Sequence, residues 1–123
     1  MSEPRVPDVD FELDTFELVL LSRGDKANEL DDETIDRLGR EHIAHNVKLK
    51  ADGLLLAAGA VIGAESTRNV TSDQPVVGLG FWRLPREEVL HLKDSDPGIQ
   101  AGLYKAELVR FMCPKGSITF KEP

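Results

Sequence analysis

The chain has 123 residues, 41% hydrophobic and 30% charged, the size and balance of a single globular domain. Its net charge is -7 with an isoelectric point near 4.9, and no basic cluster exceeds two residues, which excludes nucleic acid and anionic membrane as partners. The single cysteine, Cys113, excludes an intramolecular disulfide framework and fits a reducing compartment.

Residues 1–11, with two prolines and several acids, lack periodicity and read as a loose acidic tail ahead of one domain over 12–123. They carry neither a positive n-region nor an apolar h-region, so the expected location is the cytoplasm. Phe16 to Leu21, FELVLL, is the first expected strand, ending at the turn-rich SRGDKANE. Asp31-Asp32-Glu33 supplies an N-cap and an acidic first turn for a helix from about 33 to 51. Asp52-Gly53 ends it, with Gly53 free to take the left-handed C-cap conformation.

Leu54 to Ile62 reads as a second strand, apolar on both faces and therefore sandwiched. The apolar run continues to Ala64, 11 residues in all, about half of what a membrane span needs. A polar hairpin loop follows over 63–74, then a third strand over 75–83 whose glycines imply close backbone approach or a bulge. Pro85 opens a shorter helix over REEVLHLKDS, and Asp96-Pro97-Gly98 opens a turn or brief helical stretch. Leu103 to Met112 alternates apolar and polar residues as a fourth strand, and CPKGSITFKEP is left as an edge strand or an arm.

Strand, helix, strand, strand, helix, strand is a ferredoxin-like βαββαβ arrangement, α+β in class: an antiparallel sheet with both helices on one face. The other face would be too apolar for water, so two copies packing sheet against sheet form the expected homodimer.

The apolar stripe of the first helix runs Ile35, Leu38, His42, His45, Leu49, placing two imidazoles where Leu or Ile would stand. Three readings compete: hydrogen-bonded structural histidines, a metal pair, and a general acid or base beside a carboxylate. The metal reading needs further ligands. Glu41 points about 100° away, and only His91 and Cys113 remain as histidine or thiol. Among 22 acids, Asp96 stands out, because Asp-Pro bracketed by Gly98 and Gly102 makes a tight turn. A capping role for Asp96 is compatible with a place in a cleft. Gly78-Leu79-Gly80 has no helix start after it and is no dinucleotide fingerprint. Cys113 reads as a packing thiol, and Trp82 and Tyr104 as core or pocket walls.

Taken together, several segments resemble the YciI-like (YCII-related) family. The spacing from His42 and Ala44 through Asp52-Gly53 and Leu54-Leu55 to Ala58-Gly59 is similar to its helix-into-strand signature. Asp94 to Leu103 resembles its acidic DP-x-x-x-AG stretch, and Cys113-Pro114-Lys115-Gly116-Ser117 resembles the tail of actinobacterial-type members. The resemblance covers residues 16–118 and implies a dimeric α+β barrel. It further implies a His–Asp active-site pair, falling on His42, eleven residues before Gly53, and on Asp96; His45 inherits no role. Ala60, where many members have proline, and the longer acidic N-terminus depart from the family pattern. A few relatives resemble lactone isomerases in fold, and a few remove HCl from chlorinated hydroxyquinol-type rings.

The leading expectation is a cofactor-independent lyase- or isomerase-type enzyme with a pocket between sheet and helices. His42 would move a proton on a small cyclic or aromatic substrate, and Asp96 would orient it. The alternative is a non-catalytic dimeric module that binds a small molecule or a protein. No cofactor and no metal are expected.

Overall fold

The computed structural model describes residues 8–62 and 76–122. The loop expected over 63–74 and most of the N-terminal tail lie outside them. Four strands, β1 (Leu13–Arg23), β2 (Leu55–Ala60), β3 (Val76–Trp82) and β4 (Tyr104–Pro114), form one antiparallel sheet in the order β2-β3-β1-β4. Helix α1 (Asp32–Ala51) joins β1 to β2, and helices α2 (Arg86–Asp94) and α3 (Pro97–Gln100) join β3 to β4. This is the expected βαββαβ order, α+β in class.

Local chemistry accounts for the helix ends. Asp31 Oδ1 accepts from Thr34 N at 2.8 Å, while Asp32 and Glu33 meet the positive end of the α1 dipole and Lys48 and Lys50 the negative end. Gly53, at φ 78°, turns the chain so that Gly53 N and Leu54 N reach the carbonyls of Lys50 and Leu49. The same device ends α3: Gly102, also at φ 78°, lets Gly102 N and Leu103 N bond Ile99 O and Gly98 O. Each connection thus passes from helix to strand through a left-handed glycine.

One core lies between the sheet and both helices. Val19, Leu49, Leu55, Trp82 and Val89 are buried together, with Leu92, Ala106 and Leu108 packed against them. Leu49 comes from α1 and Val89 from α2, so both helices cover the sheet face that carries Val19. Gly80 and Gly78 stand opposite Val19 and Leu21 on β3. A Cβ on Gly80 would sit 3.4 Å from Ala58 Cβ and Leu55 Cδ1, and the β1–β3 register shifts between Leu21 and Ser22. Close approach and a bulge occur in the same strand. A second cluster, Ala27, Leu38 and Leu103 with Ile35 and Tyr104, joins the first half of α1 to the segment after β1 and to the end of α3.

The reading of β2 needs correction. It is an edge strand, and only its first half is sandwiched: Leu55 and Leu56 are buried, whereas Ala58, Gly59 and Ala60 are exposed and Ile62 is 90% exposed. An apolar run signals burial only where another layer covers it. β1 and β4 run longer than expected because their polar ends pair with each other, from Leu13 opposite Pro114 to Arg23 opposite Tyr104.

Side-chain alternation turns Phe16, Phe81 and Phe111 to the sheet's other face, where Phe81 meets both rings edge-on at 6.1 and 5.9 Å. The chain's end is an arm, not a strand. Phe120 packs 5.3 Å from Phe16 and 5.5 Å from Phe81, covering part of this face, while Phe111 stays 36% exposed. Among the described residues, no helix is long and apolar enough to cross a membrane.

Candidate functional site

The α1 stripe meets an apolar cluster at each end, through Leu38 and Leu49, and a polar region in the middle. There the two histidines face the last turn of α2 and the connection from it to α3. Asp96 is the residue before Pro97, held extended at φ -70° and ψ 124°, and its side chain caps α3 with Oδ1 accepting from Gly98 N at 2.9 Å. The side chain is fully buried. Its other oxygen, Oδ2, accepts from His42 Nδ1 at 2.6 Å and from Lys93 Nζ at 2.9 Å. The structure therefore brings His42 and Asp96 into direct contact, and Asp96 caps a helix as well.

Burial alone would push the Asp96 carboxyl up. The His42 hydrogen bond and the charge and hydrogen bond of Lys93 outweigh it, holding the group well below the usual carboxylate range. An ionised carboxylate only accepts, so Nδ1 of His42 carries a proton, and whenever the ring is neutral Nε2 is the accepting nitrogen. Asn46, one turn along α1, donates from Nδ2 to Nε2 at 3.3 Å, and its buried Oδ1 has no partner among the described residues. The His42 side chain is 14% exposed.

Tyr104, the first residue of β4, lies with its ring 5.0 Å from the His42 ring at 52°. Its phenol titrates above the ordinary tyrosine range, first because it is buried and then because Asp96 is charged nearby, with Arg23 opposing. Gly98 makes room for this ring: a Cβ there would sit 2.5 Å from Tyr104 Cδ2. An open cleft of about 340 Å³ lies beside the cluster, with Lys93, Tyr104, Leu90, Ile99 and Ala106 in its wall. His42 and Asp96 do not line it; they stand one contact behind, through Tyr104 and Lys93.

His45 goes elsewhere. Its Nε2 donates to the main-chain oxygen of Leu92 at 3.2 Å. The two histidines are thus tied to different partners, and among the described residues no three His, Cys, Asp or Glu side chains gather as a metal site. His91 is exposed, and Cys113 is a buried free thiol.

Lys93 and Asn46 were not singled out from the sequence. Both carried a signal in their spacing: Asn46 is four residues from His42, and Lys93 is four from the buried Val89 and three from Asp96. A lysine at such a position reads as a solvated chain end, until a buried carboxylate is placed beside it.

No protein-family model matches the chain, and no curated protein matches it. Among solved structures it is similar to 5-chloro-2-hydroxyhydroquinone dehydrochlorinase (TftG) from Burkholderia phenoliruptrix AC1100, in complex with 2,5-dihydroxybenzoquinone. The identity is 20%, the match covers 76% of this chain and 90% of that one, and the TM-score is 0.46.

Proposed function

We propose that this chain is a YciI-like enzyme in which His42 and Asp96 form an acid–base pair, acting without a cofactor on a small cyclic or aromatic substrate. The observation that carries this reading is the 2.6 Å contact between His42 Nδ1 and a fully buried carboxylate. Asp96 holds the ring in one tautomer and compensates the charge when it becomes an imidazolium.

The chemistry needs only a proton relay. Nε2 takes a proton from an acidic C–H or O–H of the substrate, and the bonding pair stays on the substrate as an enolate or a new π bond. Return of the proton to another atom completes an isomerisation; departure of a leaving group with its electron pair completes an elimination. A positioned base of this kind contributes roughly 10²- to 10⁴-fold, suited to an activated substrate. The incoming group replaces the long Asn46 contact at Nε2.

Two measurements test this reading. Nitrogen NMR of the free protein near neutral pH is expected to show His42 protonated at Nδ1 and bare at Nε2. Incubation in deuterated water with a panel of small cyclic ketones and activated phenols is expected to give deuterium wash-in that His42→Gln abolishes. A proton on Nε2 alone, or no His42-dependent exchange across the panel, overturns it.

The alternative of a non-catalytic binding module is favoured by one observation: Asn46 already occupies Nε2. In that reading His42 serves ligand recognition, and His42→Gln weakens binding where no exchange is ever seen. We further infer that two copies associate through the Phe16, Phe81 and Phe111 face, a partly exposed apolar surface on a single chain. Light scattering of Phe81→Glu is expected to show a monomer.

A further inference from the structure

In the acid–base reading Lys93 has no task beyond its contact with Asp96. Its residue is only 4% exposed, and a buried ammonium is costly unless its charge and donors are used. One of its three N–H donors meets Asp96 Oδ2 at 2.9 Å. Among the described residues no acceptor takes the other two, and the Trp82 ring lies 6.0 Å away. The same side chain forms part of the cleft wall.

The other charges around that cleft are at its rim. Lys105 and Asp25 face each other at 3.7 Å with side chains 55% and 94% exposed, and Lys26 and Asp94 are exposed as well. Water and salt screen such groups, so Lys93 is the buried charge in the cleft wall, with the Asp96 carboxylate as its counter-charge behind it. Leu90, Ile99, Ala106 and the Tyr104 ring supply an apolar seat. About 340 Å³ is at the small end of ligand sites, enough for a single ring.

We propose that this cleft binds a small organic anion, with Lys93 holding its anionic oxygen and the Tyr104 side holding its apolar body. This cleft lies one contact from the acid–base pair, so anion binding there goes beyond that reading and does not depend on proton transfer by His42. With His42 neutral, Lys93 and Asp96 sum to zero charge. With His42 protonated, the three groups sum to +1 beside an anion of charge -1 in the cleft.

The probe is 4-nitrophenol, whose phenolate absorbs in the visible, read at a pH where the free probe is mostly neutral. The wild-type protein is expected to bind it as the phenolate. Lys93→Met weakens that binding at least about tenfold, the value of one charge-assisted hydrogen bond, and Lys93→Arg recovers part of it. Nitrobenzene, which has the ring without the anionic oxygen, binds wild type and Lys93→Met alike. Benzoate distinguishes the source of the oxygen: Lys93-dependent competition extends the class to carboxylic acids, and its absence restricts the class to phenols and enols. Both results keep the proposal.

Nitrobenzene binding wild type as tightly as the phenolate overturns the proposal, as does a Lys93→Met protein that folds and binds the phenolate unchanged. If Lys93→Met does not fold, amide shift mapping on wild type decides: shifts centred on Lys93, Tyr104 and Ala106 support the cleft, and shifts elsewhere sink it. The two readings fail separately. His42-dependent wash-in without Lys93-dependent anion binding removes the cleft alone, and the converse removes the acid–base pair alone.

Discussion

Helix α1 touches α2 and the connection that follows it at two imidazoles three residues apart, and the two contacts differ in kind. His42 meets a buried, ionised carboxylate that also binds a lysine, whereas His45 meets a main-chain carbonyl. Both side chains are partly buried on one stripe and differ only in partner. A carboxylate fixes the tautomer and also compensates a positive ring. A carbonyl fixes orientation without supplying a counter-charge. Position on a helix made both residues candidates, and the partner separates them.

The strongest way to break the contrast is to remove that partner. Asp96→Ala leaves Lys93 buried without its carboxylate and uncaps α3, so the expected loss of stability is about 3–5 kcal/mol in denaturant unfolding. The sign with pH follows from the depressed Asp96 carboxyl. Its contribution is fully present above the ordinary unfolded value of 3.8 and is lost as pH falls below that toward the folded value. Wild type therefore loses stability on acidification, and Asp96→Ala shows a flatter acid limb.

A smaller change keeps every charge and disturbs only the wall of the site. In Gly98→Ala the new Cβ meets Tyr104 Cδ2, for an expected cost of about 1–3 kcal/mol. The Tyr104 ring is displaced from His42, which ring-current shifts of the His42 protons would register. An unchanged spectrum with unchanged stability would show that Tyr104 does not depend on the glycine.

The smallest expected effect sharpens the contrast from the other side. His45→Gln removes one hydrogen bond to Leu92 O and should cost about 0.5–1.5 kcal/mol. The nitrogen shifts of His42 should stay where they are. A change in the His42 tautomer in this variant would mean that the two contacts act as one unit.

Much of this architecture could be read from the chain. The capping Asp31, the glycine stop at Gly53, the His42–His45 stripe and the Asp-Pro turn at Asp96 are all local signals, acting within about four residues. The hidden parts were those that depend on what lies across a gap. The exposed half of β2 looked buried because apolarity does not say which layer covers a strand. Lys93 looked solvated because a lysine's environment is set by its neighbour, not by its own helix.

By itself the sequence determined the order of the elements, their caps and the two histidines on one face of α1. Tertiary structure decided that His42 and not His45 reaches Asp96, a residue 54 positions away. It also decided that Lys93 would share the same oxygen. Helix periodicity sets the direction of a side chain relative to its own axis. Which group stands opposite depends on how two helices lie against one sheet, and that is settled by packing over the whole core.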